Sequence, residues 1–194
     1  MPKSVWLLVG LLCCAGLVAC GPTNSVSGKV SDRLMRVKDA ISVTFKRTNG
    51  AVDELFVLIV DKPDLCAKLN RDRLPASASI LRISLTRLAD DRVTSLAPDV
   101  GDYRIYPVGQ RAGRQAASTY LALDNLCLPG VVPPRPALSG VVKLTQLEPT
   151  VAGSFELAFG AAAPLSGDTP EGYTGIFNAP PCEVPGGFGA SGCE

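Results

Sequence analysis

From position 40 the chain alternates apolar and polar residues with a period of two: Ile41, Val43 and Phe45 against Ser42, Thr44 and Lys46. That period marks a strand with one buried face. Asn49-Gly50 follows, a strong hairpin signal, and then an uninterrupted apolar run, Leu55-Phe56-Val57-Leu58-Ile59-Val60. A run without polar residues predicts a strand buried on both faces. Asp61 is a candidate cap for a short helix, with Pro63 near its first turn and Leu65, Cys66 and Leu69 on its inner face. Alternation returns at Ile80–Leu88, with Leu81, Ile83 and Leu85 inward and Arg82, Ser84 and Thr86 outward. Tyr103–Val108 and Thr119–Leu123 are further strand candidates. The four prolines Pro129, Pro133, Pro134 and Pro136 make 129–136 an extended connector, because proline cannot donate to a sheet interior.

Val141–Leu147 and Val151–Phe159 predict a hairpin around Glu148-Pro149-Thr150, with Val151, Gly153, Phe155, Leu157 and Phe159 on one face. Tyr173, Gly175 and Phe177 repeat that pattern in a last strand. The echo Gly153-Ser154-Phe155 and Gly175-Ile176-Phe177 predicts aromatics packed over glycines on neighbouring strands, in the core. Many short strands separated by turn residues predict an all-β protein, an antiparallel sandwich or barrel-like domain with at most one or two short helices.

The first twenty residues have a different character. One Lys, an apolar stretch from Val5 and small residues near Ala19 make the three zones of a secretory signal peptide over 1–19. The apolar run ends at Cys20, short of the roughly 20 residues needed to span a bilayer, and no basic stop-transfer cluster follows. Leu17-Val18-Ala19-Cys20 resembles the lipobox of bacterial lipoproteins, cut by signal peptidase II. The resemblance implies that Cys20 becomes the first residue of the mature chain and carries two or three acyl chains (palmitate-type). It also implies a membrane partner reached through that lipid. Gly21, in place of Asp, resembles lipoproteins sent to the outer membrane, so the expected location is the bacterial cell envelope. Residues 20–31 read as the lipidated Cys and a polar tether, and 32–194 as a single β domain ending in a Gly-rich loop over 183–194. The segment from about Leu138 to Cys182 also resembles the C-terminal part of small uncharacterised lipoproteins from myxobacteria, a resemblance that bears on architecture alone.

Of seven cysteines, Cys13 and Cys14 fall in the signal and Cys20 in the lipobox. Cys66, Cys127, Cys182 and Cys193 remain, an even number in an exported chain, which predicts two disulfides. The Gly-rich stretch between Cys182 and Cys193 favours pairing those two and leaving Cys66 to Cys127. Pairing of Cys182 with Cys66 or with Cys127 across a sheet is the alternative. Close Cys pairs of the zinc-binding kind are absent from the sequence.

Chemistry enters mostly by exclusion. The 194 residues contain no His, which removes every Ser-His and Cys-His couple and the commonest metal ligand. There is no G-x-S-x-G either. Loss of residues 1–19 removes Lys3 and leaves 18 basic against 18 acidic residues, a balance that argues against a nucleic-acid partner and against electrostatic attraction to headgroups. Asp90, Asp91, Asp99 and Asp102 are the calcium candidates, since clustered carboxylates suit that ion, although a solvated turn uses the same residues. Gln110 to Gln115 carries Arg111 and Arg114, whose forks match phosphate or carboxylate. Tyr103 and Tyr106 fall on opposite faces of a strand and make no sugar platform. The expectation is therefore a non-enzymatic, cofactor-free envelope lipoprotein, serving as a structural or interaction module with an envelope protein partner. The alternative is a module that binds sugar, lipid or calcium.

Overall fold

A computed structural model describes residues 24–46, 52–92, 94–106, 110, 113–130, 133–160, 171–184 and 192–194. The chain forms β1 (Ser25–Lys29), β2 (Asp39–Lys46), β3 (Val52–Val60), α1 (Leu65–Leu69), β4 (Arg73–Leu74), β5 (Ser79–Leu88), β6 (Ser95–Leu96), β7 (Gly101–Ile105), β8 (Arg114–Ala122), β9 (Arg135–Pro136), β10 (Ser139–Gln146), β11 (Val151–Ala158), β12 (Gly172–Ala179) and β13 (Gly192–Cys193). The main sheet has the order β1-β12-β11-β10-β7-β8-β5-β3-β2, with β6 added to β5 and β9 to β8. Its pairs are antiparallel except β7 with β8. The protein is all-β, as the period-two patterning predicts, and the sheet curls into a barrel-like form.

Curling creates two cores. The inner face gathers Leu55, Val57, Ile59, Leu81, Ile83, Leu85, Tyr103, Tyr120, Val142, Phe155, Tyr173 and Phe177. The outer face of β2, β3 and β5 is buried too: Ile41, Val43, Phe56, Leu58, Val60 and Ile80 pack under Leu65 and Leu69 of α1 and under Cys182. This is why Leu55–Val60 contains no polar residue, since both sides of β3 leave water. Ser84 on β5, expected outward, is buried for the same reason and donates to the Glu54 carboxylate. Arg82 remains exposed and lies over the Phe56 ring, 5.7 Å from its centroid.

The segment that leaves β12 meets the β2 edge of the curled sheet at Ser42. Ser42 on β2 donates its N–H to Pro180 O (2.9 Å) and its hydroxyl to Ala179 O (3.0 Å), and accepts from Cys182 N (2.7 Å). Pro180 and Pro181 have no N–H to offer, so the seam uses the donors of Ser42 and Cys182 instead.

Several expectations need correction. The tether over 20–31 is too long: Ser25–Lys29 is a strand, paired from Ser25↔Ile176 to Lys29↔Gly172, and Val30 is fully buried. Its polar side chains concealed it, because an edge strand is held by main-chain bonds as much as by apolar burial. The disulfides join Cys66 to Cys182 and Cys127 to Cys193, not Cys182 to Cys193 and Cys66 to Cys127. Pairing of backbones decides this. The seam carries Cys182 over the outer face beside α1, while the parallel pairing of β13 with β4 (Cys193↔Leu74) carries Cys193 to Cys127. The residue preceding α1 is Asp64, not Asp61. Asp61 accepts from Ser79 N (2.8 Å), and the free N–H of Leu65 is met by Asp39 Oδ2 (2.8 Å). Arg135–Pro136, inside the expected connector, makes a short edge strand against Thr119 and Tyr120 of β8. Asn49-Gly50 lies outside the described residues.

Candidate functional site

The most structured group of polar side chains sits where β7 begins. Tyr103 has its ring fully buried in the inner core. Its hydroxyl accepts from Asp99 N (3.0 Å), donates to Asp99 O (2.8 Å) and lies 3.3 Å from Asp99 Oδ1. A tyrosine bonded to the backbone four residues upstream folds the incoming loop back against its own strand, the arrangement known as a tyrosine corner in β proteins. The Asp99 carboxylate is then held by the Arg114 fork, Nε to Oδ1 and Nη2 to Oδ2, both at 2.7 Å, and Arg87 Nη1 approaches Oδ2 at 3.3 Å. Arg87 and Arg114 are direct register partners on β5 and β8. Like charges placed so are unfavourable, and Asp99 is their shared counter-ion.

Titration follows from these contacts. The Arg114 hydrogen bonds are the chief reason that Asp99 titrates below the usual carboxylate range; partial burial opposes them and the Arg87 charge assists. Tyr103 is pushed up, first by burial and then by the Asp99 charge. The pair is thus a fixed carboxylate and a fixed phenol at neutral pH, neither poised to move a proton. Tyr173 behaves similarly: burial raises its pKa, and its hydroxyl donates to Arg33 O (2.9 Å).

The other candidate residues are dispersed. Asp91 accepts from Thr94 N (2.8 Å) and closes its own turn. Asp102 lies exposed on β7 beside Lys143 in the register of β10, and Asp90 is exposed at the edge of a shallow recess near Arg87 and Arg114. Among the described residues, no group of three or more His, Cys, Asp or Glu is placed to hold a metal ion, so Asp90, Asp91, Asp99 and Asp102 are not brought together. Within Gln110–Gln115, Arg111 lies outside the described residues, and Arg114 and Gln115 belong to β8. Arg114 does grip a carboxylate, as an Arg fork should, but the carboxylate is Asp99 of the same chain. Cys20 lies outside the described residues.

Larger open depressions lie elsewhere on the described surface. One, of about 660 Å³, opens beside the seam, with Leu147, Val151 and Val184 as apolar walls and Glu148 and Glu183 among its lining residues. Another, of about 710 Å³, runs over the solvent face of β1, β12, β11, β10 and β7. There the register aligns Thr174, Glu156, Val141 and Arg104 in one row across four strands.

Sequence reading missed the Tyr103–Asp99 corner and the Ser42 seam. The first had a signal, an Asp four positions before a strand tyrosine. The second had none, because it joins positions about 140 residues apart. No protein-family model, no curated protein and no solved structure matches this chain.

Proposed function

We propose that this chain is an exported, lipid-anchored, disulfide-stabilised module of the bacterial cell envelope, acting structurally or through a protein partner rather than as a catalyst. The observation that carries the reading is the pair of disulfides, Cys66–Cys182 and Cys127–Cys193, spanning 116 and 66 positions. Bonds of this kind persist in oxidising compartments and are rare in the cytosol. They use all four cysteines that follow Cys20, and so agree with an exported chain whose remaining N-terminal Cys has another fate. The lipobox-like Leu17-Val18-Ala19-Cys20 supplies that fate, acylation, with Gly21 favouring the outer membrane. A non-catalytic role is supported by a sequence without histidine and by the commitment of Asp99, Tyr103 and Arg114 to one another. Charge balance speaks against nucleic acid, and nothing in the reading requires a cofactor.

The test is mass spectrometry of the protein taken from its native membrane. Cleavage before Cys20 with added acyl mass is expected, and an intact Met1 terminus would overturn the reading. A second reading, a module for a polar ligand such as a sugar, is favoured by the trough across β1, β12, β11, β10 and β7, with Arg104 and Glu156 both on its wall.

A further inference from the structure

β1 begins at Ser25, so only Gly21 to Asn24 separate Cys20 from the sheet. Five residue steps span at most about 18 Å when fully extended. The chain enters the fold at a defined place: Asn178 N donates to Asn24 Oδ1 (2.6 Å), at the end of β12.

The antiparallel registers sort the connections onto two ends of the curled sheet. With Asn24 lie the exit of β12 at Pro180, the 147–150 turn between β10 and β11, and the 89–100 connection from β5 to β7. At the opposite end lie 30–38, 61–78 and 123–138, the connections that follow β1, β3 and β8. Strands of eight or nine residues put the two ends about 25–30 Å apart. The far end is capped by a rigid loop. Asp124 Oδ1 accepts from both Leu126 N (2.8 Å) and Leu128 N (3.0 Å), and Cys127 between them is bonded to Cys193. Leu126 and Leu128 are left 66% and 56% exposed.

We propose that the domain stands directly on the lipid bilayer, with the end formed by Asn24, Pro180 and the 147–150 turn against the headgroups, and with the Leu126–Leu128 loop facing away from the membrane. The inference rests on acylation of Cys20, as proposed above. A short anchor at one end of a rigid sheet leaves little room for any other orientation. Among the described residues the near end carries Asp90, Asp91, Asp99 and Glu148 with Arg87, Arg92 and Arg114, without a basic surplus, so the acyl chains and not charge hold it there.

The test uses the mature chain's lack of tryptophan, since Trp6 falls in residues 1–19. Full-length protein carrying Glu148→Trp or Leu126→Trp, purified with its acyl chains, is reconstituted into phosphatidylethanolamine–phosphatidylglycerol vesicles containing a headgroup nitroxide lipid. Both positions are exposed, and a thermal melt of each variant confirms the fold. Both variants should float with the vesicles, and quenching at 148 should exceed that at 126 by at least roughly threefold, given the separation of the ends. Equal quenching, or stronger quenching at 126, in protein that floats would overturn the orientation alone. Failure to float would overturn acylation and the orientation with it. A flexible Gly/Ser spacer of roughly ten residues after Gly21 should abolish the difference, and its persistence would overturn the short anchor as the cause.

Discussion

Phe155 and Phe177 stand on adjacent antiparallel strands, their ring centroids 6.4 Å apart and 23° from parallel, and each is the register partner of a glycine on the other's strand. Phe155 faces Gly175 and Phe177 faces Gly153. A Cβ on Gly175 would lie 2.7 Å from Cζ of Phe155, and one on Gly153 would lie 2.8 Å from Cζ of Phe177. Each ring occupies the space its partner's missing side chain leaves. The two Gly-x-Phe stretches are therefore one reciprocal packing unit, with both rings almost fully buried.

Truncation of either ring should be expensive. Phe155→Ala or Phe177→Ala is expected to cost about 3–5 kcal/mol, the range for a buried aromatic. Gly175→Ala should also destabilise, since the new methyl would meet the Ser25 carbonyl oxygen of β1 as well as the Phe155 ring. Thermal melts decide the matter: a shift below about 2 °C for both Phe variants would mean that the rings do not fill the core.

Disulfide connectivity is open to a direct check. No Lys or Arg lies between Cys182 and Cys193, but cleavage after Glu183 separates them. Unreduced protein cut there should yield Cys66 linked to Cys182 and Cys127 linked to Cys193. Recovery of a Cys182–Cys193 link would contradict the seam at Ser42. Removing the Cys66–Cys182 bond by double Ser replacement should cost about 2–5 kcal/mol, because it frees a long loop of the unfolded chain.

Acid should act partly through Asp99. Its folded-state pKa is lowered by Arg114, so its contribution is complete above the unfolded value of about 3.9 and is lost as pH falls through the lower folded value. Urea midpoints measured from neutrality down to strongly acidic pH should therefore decline less steeply for Asp99→Asn than for the parent. Parallel curves would remove Asp99 from the account. Tyr103→Phe, which strips the same loop of its buried hydroxyl, should cost about 1–3 kcal/mol at all of these pH values.

Local pattern was enough for much of this fold. The alternation at Ile41–Phe45 and Leu81–Leu85, the apolar run Leu55–Val60, the hairpin around Glu148-Pro149-Thr150 and the Gly-x-Phe echo all translate into the strands observed, because the period of side-chain direction is a property of the strand itself. The even set of Cys66, Cys127, Cys182 and Cys193 likewise announced two disulfides. Which cysteines meet was decided elsewhere. That outcome depends on Ser42 binding the chain after β12 and on β13 joining β4, contacts between distant segments with no local composition to mark them. β1 escaped notice for a related reason: Ser25, Ser27 and Gly28 lack a strand's apolar face, and the segment is held by an edge that exists only once β12 is in place. The same holds for Asp99. In the sequence it is one of four aspartates in a turn-rich stretch; the pairing of β5 with β8 sets two guanidinia side by side, and the Tyr103 corner brings the carboxylate between them.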